Sequence, residues 1–344
     1  MTEEDRYQHT DFPIYRDEIA PLLPSRVLDF HVHVWQREHW REKPWETDAV
    51  GGKYMVVQEE YPPDQLDADL QRLFPDRPCE AVCFGFPSPA VDLARTNADT
   101  ARLGARPGRY PLLIAGRGLQ PPDELRAQVS AGGFFGYKVF LNWYGDDYGE
   151  VALADMLGAE EMALAEELRL IVLLHVPRAR RLADSVVQAG VRDYAQRYPA
   201  ARFVLAHCGR CYLPDEMSEA VGAVADLDNV YLDTAMVMDP TVLQIALEAV
   251  GPTRVVYATD LPIAAMRGRR VYVMDHWVDL VLPGYPPSGP YRVTASEIRA
   301  TFMVYEIILA LHRAAERVGL SAGEREALFY GNGRALLDGV QRTT

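Results

Sequence analysis

Lysine, cysteine and long hydrophobic runs are all scarce in this 344-residue chain. Lysine occurs only at Lys43, Lys53 and Lys138, and the net charge is −14. A chain this acidic is not suited to nucleic acid or anionic membranes, because phosphate groups bind to positive surfaces. The four cysteines, which include Cys79 and Cys83 in one apolar run, do not form the framework of a secreted disulfide-rich domain. The thiols are therefore expected to be reduced.

The apolar stretches, such as residues 168–176, are too short to cross a bilayer, and the N-terminus is polar and acidic, unlike a signal peptide. We therefore expect a cytoplasmic protein that acts on a small molecule, with no nucleic acid or membrane partner. Assembly into a homo-oligomer through outer helices stays open. No glycine-rich phosphate loop follows the first apolar run, which argues against a dinucleotide-binding or P-loop fold.

Helical and strand-like patterns alternate between residues 27 and 259. The strand-like segments are near-continuous apolar runs, as expected for strands buried on both faces of a parallel sheet. Eight such units over roughly 250 residues match the (β/α)8 barrel. We therefore predict an α/β protein with one domain, a (β/α)8 TIM barrel over residues 26–262, with an N-terminal arm over residues 1–25 and a C-terminal helical extension over residues 263–344.

The first predicted strand contains the pattern His-x-His. Because side chains alternate along a strand, His31 and His33 should point to one face, and Phe30, Val32 and Val34 to the other. Two imidazoles on one face of a strand can bind the same divalent metal ion. A half-exposed strand with two polar residues gives the same pattern, so the interpretation depends on ligands from other strands.

Other predicted strands end in residues of the metal-ligand or acid–base type. In a barrel the C-terminal ends of the strands surround one cavity, so residues far apart in sequence become neighbours there. Any single histidine at such a position could be a core residue with satisfied hydrogen bonds. Their joint occurrence predicts a functional site. The additional residues are Lys138, His175, His207 and Asp260.

Two motifs near the ends of the chain resemble the amidohydrolase superfamily, in particular the amidohydrolase-related branch that includes lactone hydrolases and non-oxidative decarboxylases. The first is Asp-Phe-His-Val-His at residues 29–33, and the second is Tyr-Gly-Asn-Gly-Arg-Ala-Leu at residues 330–336. The second is similar to the closing Gly-Asn-x-x-Arg-Leu signature of that branch. The resemblance extends over nearly the whole chain and implies a metal-dependent barrel enzyme.

The resemblance also implies roles for individual residues. His31, His33, His175 and Asp260 would ligate one divalent metal, most often Zn²⁺. His207 would be a further histidine beside the metal-bound water, and Asp260 would also accept the proton of that water. The chemistry of the residue types agrees, because three imidazoles and a carboxylate leave room for a reactive water.

Lys138 has two interpretations within this family. It could be carbamylated and bridge two metal ions, or it could be a cationic group near the substrate. The neighbouring Asn142 and Trp143 favour a lysine that faces the substrate and a site with a single metal.

Residues that follow the strand ends are candidates for substrate binding. Arg210 and Arg267 could bind a substrate carboxylate, although solvated surface arginines are the default. Arg210 lies within Cys208–Cys211, a Cys-x-x-Cys sequence that we interpret as a structural turn. Trp35 opens a long segment, residues 36–63, whose aromatic residues Trp40, Trp45 and Tyr54 predict an ordered cover that forms part of the substrate pocket.

The sequence thus predicts a metal-dependent hydrolase of a small, polar, carboxylate-bearing lactone or amide. A metal-dependent non-oxidative decarboxylase is the first alternative, since the same groups could hold a carboxylate. Asp29 lies two residues before His31, so its side chain should point to the same face of the predicted strand, but one turn deeper. It therefore discriminates poorly between the two reactions. A barrel that only binds a ligand is the third alternative, and the retention of all the polar strand ends argues against it.

Overall fold

The computed structural model describes residues 2–42, 58–145, 149–273, 276–285, 292–296 and 300–341. Nine strand segments form the barrel within these residues. They are β1 Val27–His33, β2 Cys79–Phe84, β3 Arg109–Pro111, β4 Leu113–Ile114, β5 Gly136–Val139, β6 Ile171–Leu174, β7 Arg202–Leu205, β8 Val230–Asp233 and β9 Val255–Val256. Because β3 and β4 are separated by a single residue and occupy one place in the strand order, they make up the third strand of a (β/α)8 barrel.

All neighbouring barrel strands that pair are parallel, in the orders β1-β2-β3 and β4-β5-β6-β7-β8-β9. Backbone hydrogen bonds join the two groups. The N–H of Phe30 donates to the carbonyl of Tyr257 at 3.0 Å and that of His33 to Leu261 at 2.8 Å, while Leu112 donates to Cys83 at 2.8 Å. The first and last strands are therefore connected, and the predicted barrel fold is confirmed.

Helices follow the barrel strands as predicted. Several begin with proline at a first-turn position, where the missing N–H would have no partner, or with an aspartate that caps the first turn. Among the described residues no helix is both long and apolar enough to span a bilayer. The main barrel helices are Pro63–Leu73, Leu93–Leu103, Pro122–Gly132, Ala159–Leu168, Ser185–Arg197, Pro214–Ala220 and Pro240–Val250.

The segments outside the barrel are a helical N-terminal arm and a C-terminal region that combines a small sheet with helices. The N-terminal arm is helical from Glu3 to Leu22. The predicted C-terminal extension over residues 263–344 begins with a small sheet: β10 Gly268–Val273 pairs antiparallel with β11 His276–Val281, which pairs with β12 Arg292–Thr294. The helix Met303–Val318 follows, and the shorter segments Ala322–Glu326 and Asn332–Asp338 come after it.

A shift of pairing register interrupts β1 and corrects one predicted side-chain orientation. The register between β1 and β2 changes between Asp29 and Val32. Phe30 packs in a small apolar cluster with Phe84, whereas Val32 packs in the larger cluster that includes the helices. Because an irregularity of this kind switches the alternation of side chains, Phe30 lies on the same side as the histidines, and the predicted opposite orientation is wrong.

Candidate active site

His31, His33 and Asp260 meet at the C-terminal ends of β1 and β9. The Oδ1 atom of Asp260 lies 3.0 Å from Nε2 of His33 and 3.4 Å from Nε2 of His31. All three side chains are buried. The backbone N–H of Asp260 donates to the carbonyl of His31 at 2.9 Å, so the pairing of the first and last strands brings the three groups together.

The two remaining predicted histidines lie beside this group. The ring centroid of His207 is 5.0 Å from that of His31 and 5.4 Å from that of His175, and both rings are buried. His175 also packs against Phe140 at 4.3 Å. The structure therefore brings His31, His33, His175, His207 and Asp260 into one cluster at the ends of strands β1, β6, β7 and β9.

The side chain of Asp29, which was expected to share the orientation of His31, is engaged elsewhere. Its Oδ1 accepts hydrogen bonds from the backbone N–H groups of His31 at 3.1 Å and Thr259 at 3.0 Å, and its Oδ2 accepts from the Thr259 hydroxyl. Burial raises the pKa of Asp29 to about 7. Asp29 therefore ties the first strand to the segment after β9 and does not join the His–Asp cluster.

Asp233, at the end of β8, is the site residue that the sequence analysis missed. Its Oδ2 lies 2.8 Å from Nδ1 of His31, and its Oδ1 accepts the backbone N–H of His207 at 2.6 Å. His31, His207 and Asp233 form a second group whose donor atoms lie within 4.8 Å of one another. Because both Asp233 oxygens accept hydrogen bonds, we interpret this group as a support for the two histidines. The signal in the sequence was an aspartate directly after the apolar run of β8.

His207 begins a turn with unusual backbone geometry. The φ angles of His207, Cys208, Gly209 and Arg210 are 57°, 52°, 69° and 63°, so four consecutive residues adopt the left-handed conformation. Such a conformation costs about 1–2 kcal/mol for each residue other than glycine. The turn is closed by a hydrogen bond of 3.1 Å from the N–H of Arg210 to the carbonyl of Ala206. Cys208–Cys211 is therefore a structural turn in this structure, and its geometry aims His207 into the barrel mouth.

Lys138 in β5 is fully buried, and its Nζ lies 3.0 Å from Nε2 of His31. The ammonium group also lies 4.6 Å from the ring centroid of Phe84. Burial lowers the pKa of Lys138 to about 8, while Asp260 and Asp233 oppose this shift. The lysine remains mostly cationic at neutral pH and is a hydrogen-bond donor within the cluster.

Burial and neighbouring charges set the protonation of the cluster. Burial lowers the pKa of His31 and His175 well below the usual value and that of His207 to about 3, so these rings are neutral at pH 7. Burial opposes ionisation of Asp260, whereas the hydrogen bond with His33 and the positive charge of Lys138 favour it and hold its pKa below the usual range. Neutral imidazoles and an ionised carboxylate are the forms that bind a metal.

These residues fit a single divalent metal. The Nε2 atoms of His31 and His33 and the Oδ1 of Asp260 face one another, and these are the donor types that zinc prefers. The Nδ1 atoms of His33 and His175 are buried and lack a hydrogen-bond partner among the described residues. Asp233 bonded to Nδ1 of His31 is the carboxylate partner that commonly orients a metal-binding histidine.

The predicted substrate-binding residues occupy different surroundings. Arg210 is buried, and its Nη1 donates to the carbonyl of Val176, next to His175, at 3.0 Å. Arg267 is also buried, but its guanidinium pairs with Asp11 at 2.6 Å and lies over the ring of Phe302. This pairing anchors the N-terminal arm to the segment that follows β9.

Trp35 is separated from the His–Asp cluster by the ring of Phe86. Its ring packs edge-on against Phe86 at 5.1 Å, and Phe86 lies 6.4 Å from the ring of His33. The indole N–H donates to the carbonyl of Glu59 at 3.0 Å, which Trp40 also contacts, at 2.9 Å. Most of the predicted cover, including Trp45 and Tyr54, lies outside the described residues.

Comparisons with solved structures support the fold. The chain is similar to an amidohydrolase from Burkholderia multivorans with bound zinc, at 18% identity over 91% of this chain and 99% of that chain, with a TM-score of 0.58. It is also similar to 4-oxalomesaconate hydratase from Rhodopseudomonas palustris, at 16% identity over 91% of this chain and 96% of that chain, with a TM-score of 0.56. The chain is similar as well to 2,6-dihydroxybenzoate decarboxylase from Rhizobium, at 14% identity over 92% of this chain and 99% of that chain, with a TM-score of 0.52.

No match is found among curated proteins. A family model described as amidohydrolase matches residues 28–339, from the first barrel strand through the final C-terminal helix. The expected resemblance is confirmed over nearly the whole length, and the chain belongs to the amidohydrolase family.

Proposed function

We propose that the protein is a metal-dependent hydrolase that opens a small, polar lactone or amide bearing a carboxylate group. The observation that carries the proposal is the convergence of His31, His33 and Asp260. The Oδ1 atom of Asp260 lies 3.0 Å from Nε2 of His33 and 3.4 Å from Nε2 of His31. Together with His175 they would hold one divalent metal, for which Zn²⁺ suits the donor set. Such an ion supplies Lewis acidity toward a carbonyl oxygen and makes a bound water more acidic.

The residues of the chain supply the proton transfers. The oxygen of the attacking water forms a bond to the carbonyl carbon, and Asp260 accepts the proton, because its carboxylate is ionised. The ring C–O bond of a lactone, or the C–N bond of an amide, then breaks, and the proton on Asp260 passes to the leaving oxygen or nitrogen. The product is a hydroxy acid or an amine and a carboxylic acid.

His207 orients the water in this proposal. Its Nδ1 lies 2.9 Å from the carbonyl oxygen of Ala235, which can only accept a hydrogen bond, so the ring hydrogen is on Nδ1. Since burial keeps the ring neutral, Nε2 carries a lone pair and accepts a hydrogen bond from water. Donation to the substrate carbonyl falls instead to Lys138, whose ammonium lies within the cluster.

Arg210 is the proposed anchor of the substrate carboxylate, because its buried guanidinium lies beside His175 and matches a carboxylate in shape and charge. Trp35, behind Phe86, would form part of the apolar wall. Hydrolysis is favoured over decarboxylation by the position of Asp29. A carboxylate on the first strand that faced the two histidines would have favoured decarboxylation. The carboxylate of Asp29 instead accepts hydrogen bonds from the backbone N–H and the hydroxyl of Thr259.

The test is a screen of lactones, amides and aromatic acids with zinc-loaded protein, in which acid release and carbon dioxide are measured together. Lactone opening releases one proton per turnover near neutral pH, whereas decarboxylation releases carbon dioxide and consumes a proton. We expect acid release from a lactone, or release of the amine from an amide, without carbon dioxide, and the loss of either in Asp260→Asn. Carbon dioxide release by the parent would instead make the protein a decarboxylase.

A further inference from the structure

The left-handed turn His207–Arg210 carries two residues of the proposed site on one unfavourable stretch of backbone. Only Gly209 is free of the steric cost, and a Cβ at this position would also meet Leu182 at 2.7 Å. A turn of this kind persists only when its surroundings hold it. The contacts that hold it therefore decide where His207 and Arg210 point.

Asp233 holds the beginning of the turn. Its carboxylate accepts the N–H of His207 at 2.6 Å, and its backbone carbonyl accepts the Sγ–H of Cys208 at 3.3 Å. These contacts fix the residues next to the metal cluster. They do not reach Arg210 at the other end of the turn.

A different pair of residues contacts the end of the turn. The Nη1 of Arg181 donates to the carbonyl of Arg210 at 3.2 Å and to both carboxylate oxygens of Glu216 at 3.0 Å. Glu216 in turn accepts the N–H of Tyr212 at 3.2 Å. The guanidinium of Arg181 also lies 5.4 Å from the ring centroid of Tyr212.

The Arg181–Glu216 pair is well shielded, with side-chain exposures of 13% and 30%. A second pair, Arg180–Glu219, joins the same two segments at 2.6 Å, but its side chains are 66% and 60% exposed and contact none of the residues of the turn by hydrogen bond. Because shielded, multiply bonded charges hold geometry better than exposed ones, the two pairs should differ in their effect on the turn. The exposed pair is a matched control.

We infer that Arg181 and Glu216 are positioning residues that lock the end of the left-handed turn and thereby set the preference of the site for a carboxylate-bearing substrate through Arg210. Only the part of this inference that concerns carboxylate preference rests on the proposed function. The locking of the turn is a property of the folded chain. The carboxylate preference depends on Arg210 being the anchor.

Thiol labelling of the zinc-loaded protein tests the locking without a substrate. Cys208 and Cys211 lie in or next to the turn, Cys79 and Cys83 lie in β2, and all four are buried. In Arg181→Met we expect labelling of Cys208 and Cys211 by a maleimide to become about tenfold faster or more, the scale of one lost charged hydrogen bond. Labelling of Cys79 and Cys83 should be unchanged, and Arg180→Met should behave like the parent.

Equal labelling in Arg181→Met and Arg180→Met would overturn the inference. Faster labelling of all four cysteines would also overturn it, because the pair would then stabilise the whole fold and not the turn. If Arg181→Met does not yield folded protein, Glu216→Gln serves in its place, since glutamine still accepts the N–H of Tyr212 but loses the charge. Arg181→Lys should restore slow labelling, because an ammonium can donate to the same carbonyl.

A kinetic comparison tests the selectivity, with a lactone that bears a free carboxylate and the methyl ester of that carboxylate as probes. We expect Arg181→Met and Arg210→Met to raise the KM of the acid about tenfold and to leave that of the ester unchanged. Equal effects of Arg210→Met on both probes would refute the carboxylate anchor of the proposed function. A selective effect of Arg210→Met without one in Arg181→Met would refute this inference alone.

Discussion

The Nδ1 atom of His31 lies 2.8 Å from the Oδ2 atom of Asp233, and this hydrogen bond determines which imidazole nitrogen faces Asp260. An ionised carboxylate only accepts hydrogen bonds, so the ring hydrogen of His31 must be on Nδ1. The lone pair on Nε2 is then directed at Asp260 and Lys138. The residue missed by the sequence analysis thus fixes the state of a predicted metal ligand.

Asp233→Asn should weaken metal binding by about 10–100-fold, the usual effect of removing such a carboxylate partner. The asparagine NH₂ group can donate to Nδ1 and favour the wrong tautomer. Competition with a chromophoric chelator measures the change. Asp99→Asn is the control, because Asp99 accepts a similar hydrogen bond of 2.6 Å from His39 outside the site. The same zinc affinity in both variants would refute the role of Asp233.

His207→Asn and Asp260→Asn should differ in their effects on metal binding and on kcat. Asparagine tolerates the φ of 57° at residue 207, so the turn can form, and we expect His207→Asn to keep its metal but lose about 10²-fold in kcat. Asp260→Asn should lose metal affinity and the base together. Metal content and kcat measured side by side separate the two. Equal metal loss in both variants would make His207 a primary ligand.

Lys138→Met should retain the metal and bind it at least as tightly. In the structure the Lys138 ammonium donates to the Nε2 of His31, which is the lone pair that a metal requires. Removal of this competing cation favours the metal, while loss of the donor to the substrate should lower kcat/KM by about 10²-fold. Titration with zinc and steady-state kinetics give the two values. Loss of metal would instead support a carbamylated lysine that bridges two ions.

The stability of the metal-free protein should decrease as the pH falls below about 6.5. Burial lowers the pKa of His39 to about 4, whereas a histidine in the unfolded chain titrates near 6.5. Between these values the unfolded chain takes up a proton that the folded protein does not, so acid favours unfolding. Urea denaturation at pH 7 and pH 5 should show a smaller decrease for His39→Gln than for the parent or for the exposed control His9→Gln. Equal decreases in all three would contradict this account.

The sequence was most informative where polar residues end apolar strands. His175, His207 and Asp260 could be placed at the barrel mouth because parallel strands bring their C-terminal ends together. Asp233 gave the same signal, but a lone aspartate after a strand is also a common turn residue. Its role became clear only from its contacts with His31 and His207.

Other features of the structure depend on contacts that the sequence does not reveal. The orientation of Phe30 depends on a register shift within β1, which simple alternation does not reveal. The role of Arg267 depends on Asp11, an ion-pair partner that only the packing of the N-terminal arm brings near. The strands β10 and β11 pair with each other outside the barrel repeat, so the alternation of helices and strands did not predict them.

The central claim is that His31, His33, His175 and Asp260 bind one divalent metal, and elemental analysis of gently purified protein tests it most directly. We expect about one equivalent of a divalent transition metal, zinc above all, in the parent. His31→Ala and His175→Ala should each lose most of it while remaining folded by circular dichroism. Metal content in these variants equal to that of the parent would contradict the account.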